Sequence, residues 1–124
     1  MPKYYTPASA NRALPLVRSI ARHVRETALE LEEQYARVDR CEPGPLQMRT
    51  EERMHEVRDR LAGLLTELHE LGVELKDPFQ GLLDFRAERD GREVFLCWRL
   101  GEASVAHWHD LEAGFAGRQP IESF

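Results

Sequence analysis

The hydrophobic repeat of this chain changes period once, and that change limits the fold more than any other feature. From Leu14 to Leu71 the apolar residues recur at steps of three and four. From Leu83 to His107 they recur at steps of two. The first pattern belongs to helices and the second to half-buried strands. A chain that runs through all its helix before all its strand is an α+β protein.

The helical part divides at Cys41-Glu42-Pro43-Gly44-Pro45, where proline and glycine stop regular structure. Before the break, Leu14, Val17, Ile20, Ala21, Val24, Ala28, Leu31, Tyr35 and Val38 form one stripe. Thr6 suits the cap and Pro7 the first helical position, where a missing N–H costs nothing. Pro15 cannot donate to the carbonyl of Asn11, so a kink or a short leading helix is expected there. After the break, Met54, Val57, Leu61, Leu64, Leu68 and Leu71 form a heptad seam, and Gly72 suits a left-handed C-cap. Two such helices on a short linker are expected as an antiparallel hairpin spanning about residues 7–72. The basic segment Lys3, Arg12, Arg18, Arg22 and Arg25 would then lie beside Glu67, Glu70 and Glu74. The other end offers Glu26, Glu30, Glu32 and Glu33 to a mixed stretch containing Arg49, Arg53, Arg58 and Arg60.

Beyond Lys76-Asp77-Pro78 the alternation predicts a three-stranded antiparallel meander over about residues 82–109, followed by a tail, 110–124. Asp90-Gly91 marks the first hairpin turn and Gly101-Glu102 the second. Two-residue turns would gather Leu83, Phe85, Ala87, Val94, Leu96, Trp98, Leu100, Ala103 and Val105 on the face toward the helices. The opposite face would carry Asp84, Arg86, Arg99 and Ser104 with Phe95, Cys97, Ala106 and Trp108. It is too apolar to stand bare, so the tail or a second subunit should cover it. The 124 residues fit one domain with a modest core.

Composition excludes several functions. The net charge of −5 provides no field for nucleic acid, although Arg18, Arg22 and Arg25 share a helical strip. No apolar run is long enough to span a bilayer. The start, Met1-Pro2-Lys3-Tyr4-Tyr5, lacks the apolar core of a secretory signal, and Cys41 and Cys97 form no CxxC. A reduced, cytoplasmic protein is expected.

Three constellations carry possible chemistry. His107 and His109 form an H-x-H that can hold a divalent ion such as zinc if a third ligand is supplied. Glu102, Asp110 and Glu112 are the nearby acids and Cys97 the soft ligand, but the expected pairing sets Cys97 beside Ala106, away from both histidines. His107 would fall in a row with Phe85 and Leu96, the ordinary place of a buried structural histidine. Second, Asp84, Arg86, Arg99 and Glu102 can form a polar cluster with Arg118, whose glycine-bearing segment Gly114–Gly117 could present donors to an anion. The simpler expectation is that Arg118 ties the tail to Asp84 or Glu102. Third, Cys97 as a nucleophile needs a base that only His109 could supply; flanked by Leu96 and Trp98, it reads as a packed thiol.

Several stretches resemble the prokaryotic family catalogued as domain of unknown function 2203. They are Thr6-Pro7, Ala10-Asn11-Arg12, Leu14-Pro15, Leu75-Lys76-Asp77, Gly81-Leu82-Leu83-Asp84-Phe85, Gly91 through Trp98, Gly101-Glu102, Trp108-His109 and Gly114 through Arg118. The resemblance covers almost the whole chain. It implies a bacterial cytoplasmic protein and supplies no mechanism. It also implies an acid where this chain has Ser9, which should weaken the first cap.

Two functions follow as expectations. The first is a non-enzymatic protein, homodimeric through its helical hairpin, that binds itself or another protein. The second is a divalent-metal protein, extending to a metal-dependent hydrolase, with His109 and Glu102 as principal ligands and His107 or Cys97 as further ones. In a hydrolase, Glu102 or Asp84 would be the general base.

Overall fold

A computed structural model describes residues 4–124. Lys3, expected in the basic N-terminal segment, lies outside the described residues. The chain forms two helices, α1 (Pro7–Arg40) and α2 (Pro45–Glu70). Five strands follow: β1 (Val73–Asp77), β2 (Leu82–Arg89), β3 (Arg92–Arg99), β4 (His107–Asp110) and β5 (Gln119–Pro120). They make one antiparallel sheet in the order β1-β2-β3-β4-β5. The sheet therefore has five strands, not three. β1 is a short, mixed segment ending against Pro78, and β5 is two residues of the tail, so neither shows an alternation.

The helices begin and end for local reasons. The Thr6 hydroxyl accepts the N–H of Ser9, and the Ser9 hydroxyl accepts the N–H of Thr6 at 2.8 Å. Serine thus closes the reciprocal cap that an acid usually closes. α1 continues unbroken through Pro15, so no separate leading helix forms. Gly72, at φ 78°, donates to the carbonyl of His69 and closes α2 in the left-handed conformation that glycine adopts without penalty.

One cluster of buried side chains joins Leu14, Val17 and Val24 of α1 and Leu68 of α2 to Phe85, Leu96 and Trp98 of the sheet. Burying each large side chain is worth about 1.5–3 kcal/mol. Tyr5 seals one end of this core, its ring edge-on to Phe85 at 5.1 Å and its hydroxyl donating to the carbonyl of Leu71. Charge organises the helices differently from the expectation. Among the described residues, no ion pair links Arg12, Arg18, Arg22 or Arg25 to Glu67, Glu70 or Glu74. The bridges fall at the other end, where Glu30 takes Arg53 at 2.7 Å and Arg60 at 3.0 Å. Arg18 donates instead to the carbonyl of Ala103.

The Asp90-Gly91 turn produces the expected register, with Arg89 opposite Arg92 and Asp84 opposite Cys97. The next connection departs from expectation. Gly101-Glu102 is not a two-residue turn, and β4 starts only at His107. The intervening backbone is held elsewhere. The Trp98 indole donates to the carbonyl of Glu102, and the N–H of Arg99 donates to the Glu102 carboxylate. Val105 gives its N–H to Asn11 of α1 at 2.8 Å and accepts the Asn11 amide at 3.2 Å. With the connection held in this way, β4 lies one residue from the expected register. Cys97 now faces His107, Leu96 faces Trp108, and Phe95 faces His109. A one-residue shift exchanges the two faces of a strand. Trp108 therefore joins the core, and both histidines move to the face that holds Cys97 and Asp84.

The tail covers part of that face. Residues 115–117 form one 3-10 turn, and β5 pairs with β4 along its free edge. Arg118 reaches back to Glu102 at 2.7 Å. Among the described residues, no helix is long and apolar enough to cross a membrane.

Candidate functional site

Asp84 of β2, Cys97 of β3 and His109 of β4 meet on the sheet face away from the helices. They come from three adjacent strands, so backbone pairing rather than loop conformation positions them. Each is almost wholly buried, with side chains of Asp84 and His109 both 2% exposed. One carboxylate oxygen, the thiol sulfur and one imidazole nitrogen lie within 4.8 Å of one another.

Hydrogen bonding determines what each group offers. His109 Nδ1 is 2.7 Å from the carbonyl of Asp110. A carbonyl only accepts, so Nδ1 carries a proton and donates. Nε2 then faces both oxygens of Asp84, at 3.0 and 3.1 Å. A neutral imidazole has a lone pair there, as does an ionised carboxylate. The pair must hold one proton between them, or a cation must take its place.

Burial raises Asp84 above the ordinary carboxylate range; the charge of His109 and the hydrogen bond to it oppose the rise without cancelling it. Burial, then the neighbouring Asp84 charge, pushes the Cys97 thiol up to about 12. In the metal-free protein Cys97 is therefore a protonated thiol and a poor nucleophile, as its packed position suggests.

The cluster forms the floor of a pocket of about 200 Å³. Leu82, Leu111 and Phe115 form apolar walls, and Lys76 and Glu112 stand at its sides. Lys76 arrives there through a bulge. Leu75 pairs with Leu83 and Asp77 with Leu82, which leaves Lys76 as the extra residue. Its ammonium lies over the Phe95 ring at 4.8 Å and 3.3 Å from Glu74.

The remaining candidates are placed as follows. His109 and Cys97 are in the cluster, correcting the expectation that they lie on opposite faces. His107 sits opposite Cys97 but outside the cluster, with its Nδ1 buried and without a partner. Glu102, expected as a ligand or base, is committed to Arg118 and to the N–H of Arg99. Burial acts to raise its carboxyl, but the bonds from Arg118 and Arg99 outweigh this and hold it below the ordinary range. For Arg118, burial acts to lower the guanidinium and Glu102 outweighs it, so it is raised. The expected polar cluster thus loses Asp84 to His109 and Arg86 to Glu74. Arg99 and Arg118 instead approach the Phe115 ring, 5.1 and 4.5 Å from its centre. Arg118 serves as the tail's tie, in its Glu102 form. From sequence, Asp84 was expected in a polar cluster with Arg118 or as a general base. Its place among strand residues on a largely apolar face was the available signal for its burial.

A family model described as "Uncharacterized conserved protein (DUF2203)" matches residues 3–121. No curated protein and no solved structure matches the chain.

Proposed function

The chain belongs to this uncharacterised conserved family, and we propose that it binds one divalent cation of the zinc type through Asp84, Cys97 and His109. The observation that carries the reading is the orientation of His109. With Nδ1 donating to a backbone carbonyl, Nε2 is the nitrogen whose lone pair can serve a cation shared with Asp84 and Cys97. Metal-bound histidines are fixed in this way. Zinc bonds of about 2.0–2.3 Å in a tetrahedron separate ligand atoms by roughly 3.2–3.8 Å, so the cluster needs only small shifts to close on an ion. One oxygen, one nitrogen and one sulfur donor favour zinc over magnesium or calcium.

Titrating chelator-treated protein with zinc is expected to give one ion per chain. Cys97→Ser, close in size, should stay folded and lose at least about tenfold in affinity. Equal affinity in that variant, or no binding by the wild type, would remove the reading and leave a buried Asp84–His109 pair of purely structural role.

A second reading, self-association through the helices, has its own support. Ala28, Leu31, Tyr35 and Leu61 form an apolar groove with Pro78 and Phe79, and Tyr35 and Phe79 are 47% and 45% exposed. Under this reading light scattering gives a dimer mass that Tyr35→Glu with Phe79→Glu reduces to the monomer. A monomer mass for the wild type at all concentrations would dismiss it.

A further inference from the structure

We propose that the metal centre is hydrolytic, with Glu112 as general base and a small uncharged acyl ester or amide as substrate. This rests on the metal reading above.

The ligand set is the first argument. Structural zinc sites are closed by four protein ligands, whereas catalytic sites keep three and leave a position for water. Among the described residues the cluster has three members, and it opens onto the pocket whose walls are Leu82, Leu111 and Phe115. The fourth position therefore faces the pocket.

The second argument concerns the acids around the pocket. Asp84 is a ligand. Glu102 is held by Arg118 and the N–H of Arg99. Asp110 pairs with Arg92 at 3.0 Å, and Glu74 with Lys76 and Arg86. Glu112 lines the same pocket and has no hydrogen bond or ion pair among the described residues. It is the pocket carboxylate left available to take a proton from water on the metal. Glu102 and Asp84, the bases expected from sequence, are both committed elsewhere.

The pocket's size and lining select the substrate. A volume of about 200 Å³ is the room of roughly six waters. That fits a short acyl group beside the attacking water, with the leaving group toward solvent. The three apolar walls favour an uncharged acyl chain. A bound zinc would polarise the carbonyl and lower the pKa of water in the pocket, and Glu112 would take a proton from that water as its oxygen bonds to the carbonyl carbon. The bond from that carbon to the leaving oxygen or nitrogen then breaks. The leaving group takes the proton from Glu112, and the carboxylic acid departs. One water is consumed and no electron changes hands.

The test uses the full chain loaded with one equivalent of zinc, with 4-nitrophenyl acetate and 4-nitroacetanilide as probes. Zinc-dependent hydrolysis above that of free zinc is expected, with kcat at least about 100-fold lower in Glu112→Gln and partly restored in Glu112→Asp. Glu112 is exposed, so these variants should fold and bind zinc as the wild type does. Zinc bound with no hydrolysis, or with kcat unchanged in Glu112→Gln, overturns this inference and leaves the metal site standing. Failure to bind zinc overturns both.

Discussion

Replacing His109 by alanine is expected to abolish stoichiometric zinc binding and to lower the stability of the metal-free protein by about 3 kcal/mol. Both losses have one origin. His109 is buried with its two ring nitrogens satisfied, one by the Asp110 carbonyl and one by the Asp84 carboxyl, and it rests against Phe95 at 5.6 Å. Alanine leaves Asp84 buried without its partner and opens a cavity beside it. For a chain of this length the melting temperature should fall by roughly 10 °C. Zinc at 100 times its dissociation constant stabilises the wild type by about 2.7 kcal/mol and should leave the variant unmoved. His109→Gln retains a donor toward Asp84 and guards against an unfolded variant. It should recover part of the stability and little of the affinity. Zinc affinity unchanged in either variant would remove His109 from the ligand set.

The stability loss should also depend on pH in a definite sense. Asp84 is raised in the folded protein, chiefly by burial. Below the ordinary carboxylate range it is protonated in both folded and unfolded chains, and its burial carries no ionic penalty. As pH rises, the unfolded chain ionises first, so stability is lost as pH passes through the raised folded value. In the wild type, the charge of His109 and the hydrogen bond to it limit the rise. Without His109 the folded value goes higher and the loss extends further toward neutrality. The gap in melting temperature between variant and wild type should be narrowest in acid and widen toward neutral pH. A constant gap would show that Asp84 does not titrate as a partner of His109.

The features that could be read from sequence were those determined locally. Helix periodicity, the Thr6 cap, the Gly72 stop and the Asp90-Gly91 hairpin each depend on residues a few positions apart. β1 and β5 escaped because a five-residue and a two-residue edge strand gain their identity from the neighbour they pair with. The site escaped in a more instructive way. Cys97 and His109 were both candidates, yet a two-residue turn at Gly101-Glu102 separated them onto opposite faces. The actual connection is set by Trp98 holding the Glu102 carbonyl and by Asn11, 94 positions before Val105, holding the Val105 backbone. No pattern within the strands records a contact of that range. Asp84 was placed on the correct face beside Cys97, but its partner His109 belongs to the shifted strand and was missed.

Asn11 therefore links a helix at one side of the sheet to a site on the other, and Asn11→Ala tests that link. The variant removes the acceptor for the Val105 N–H at 2.8 Å, the donor to the Val105 carbonyl at 3.2 Å and the donor to the Pro7 carbonyl at 2.9 Å. Val105 is itself buried, so its two backbone groups have poor access to water in exchange. Leaving such groups unpaired costs about 1–3 kcal/mol, against a gain of roughly half a kcal/mol from alanine's helix propensity. The net loss should lower the melting temperature by about 2–10 °C. If the Asn11 clamp holds β4 one residue away from the two-residue-turn register, loosening it should raise the zinc dissociation constant by about tenfold, although Asn11 touches none of the ligands. Asn11→Asp keeps the acceptor and loses the donors, so it should fall between alanine and the wild type on both measures. A drop in stability with unchanged zinc affinity would mean that the β3–β4 pairing holds its own register. In that case Trp98 and its bond to the Glu102 carbonyl become the anchor, and Trp98→Phe, which keeps an aromatic ring in the core but removes the indole donor, should loosen the metal in its place.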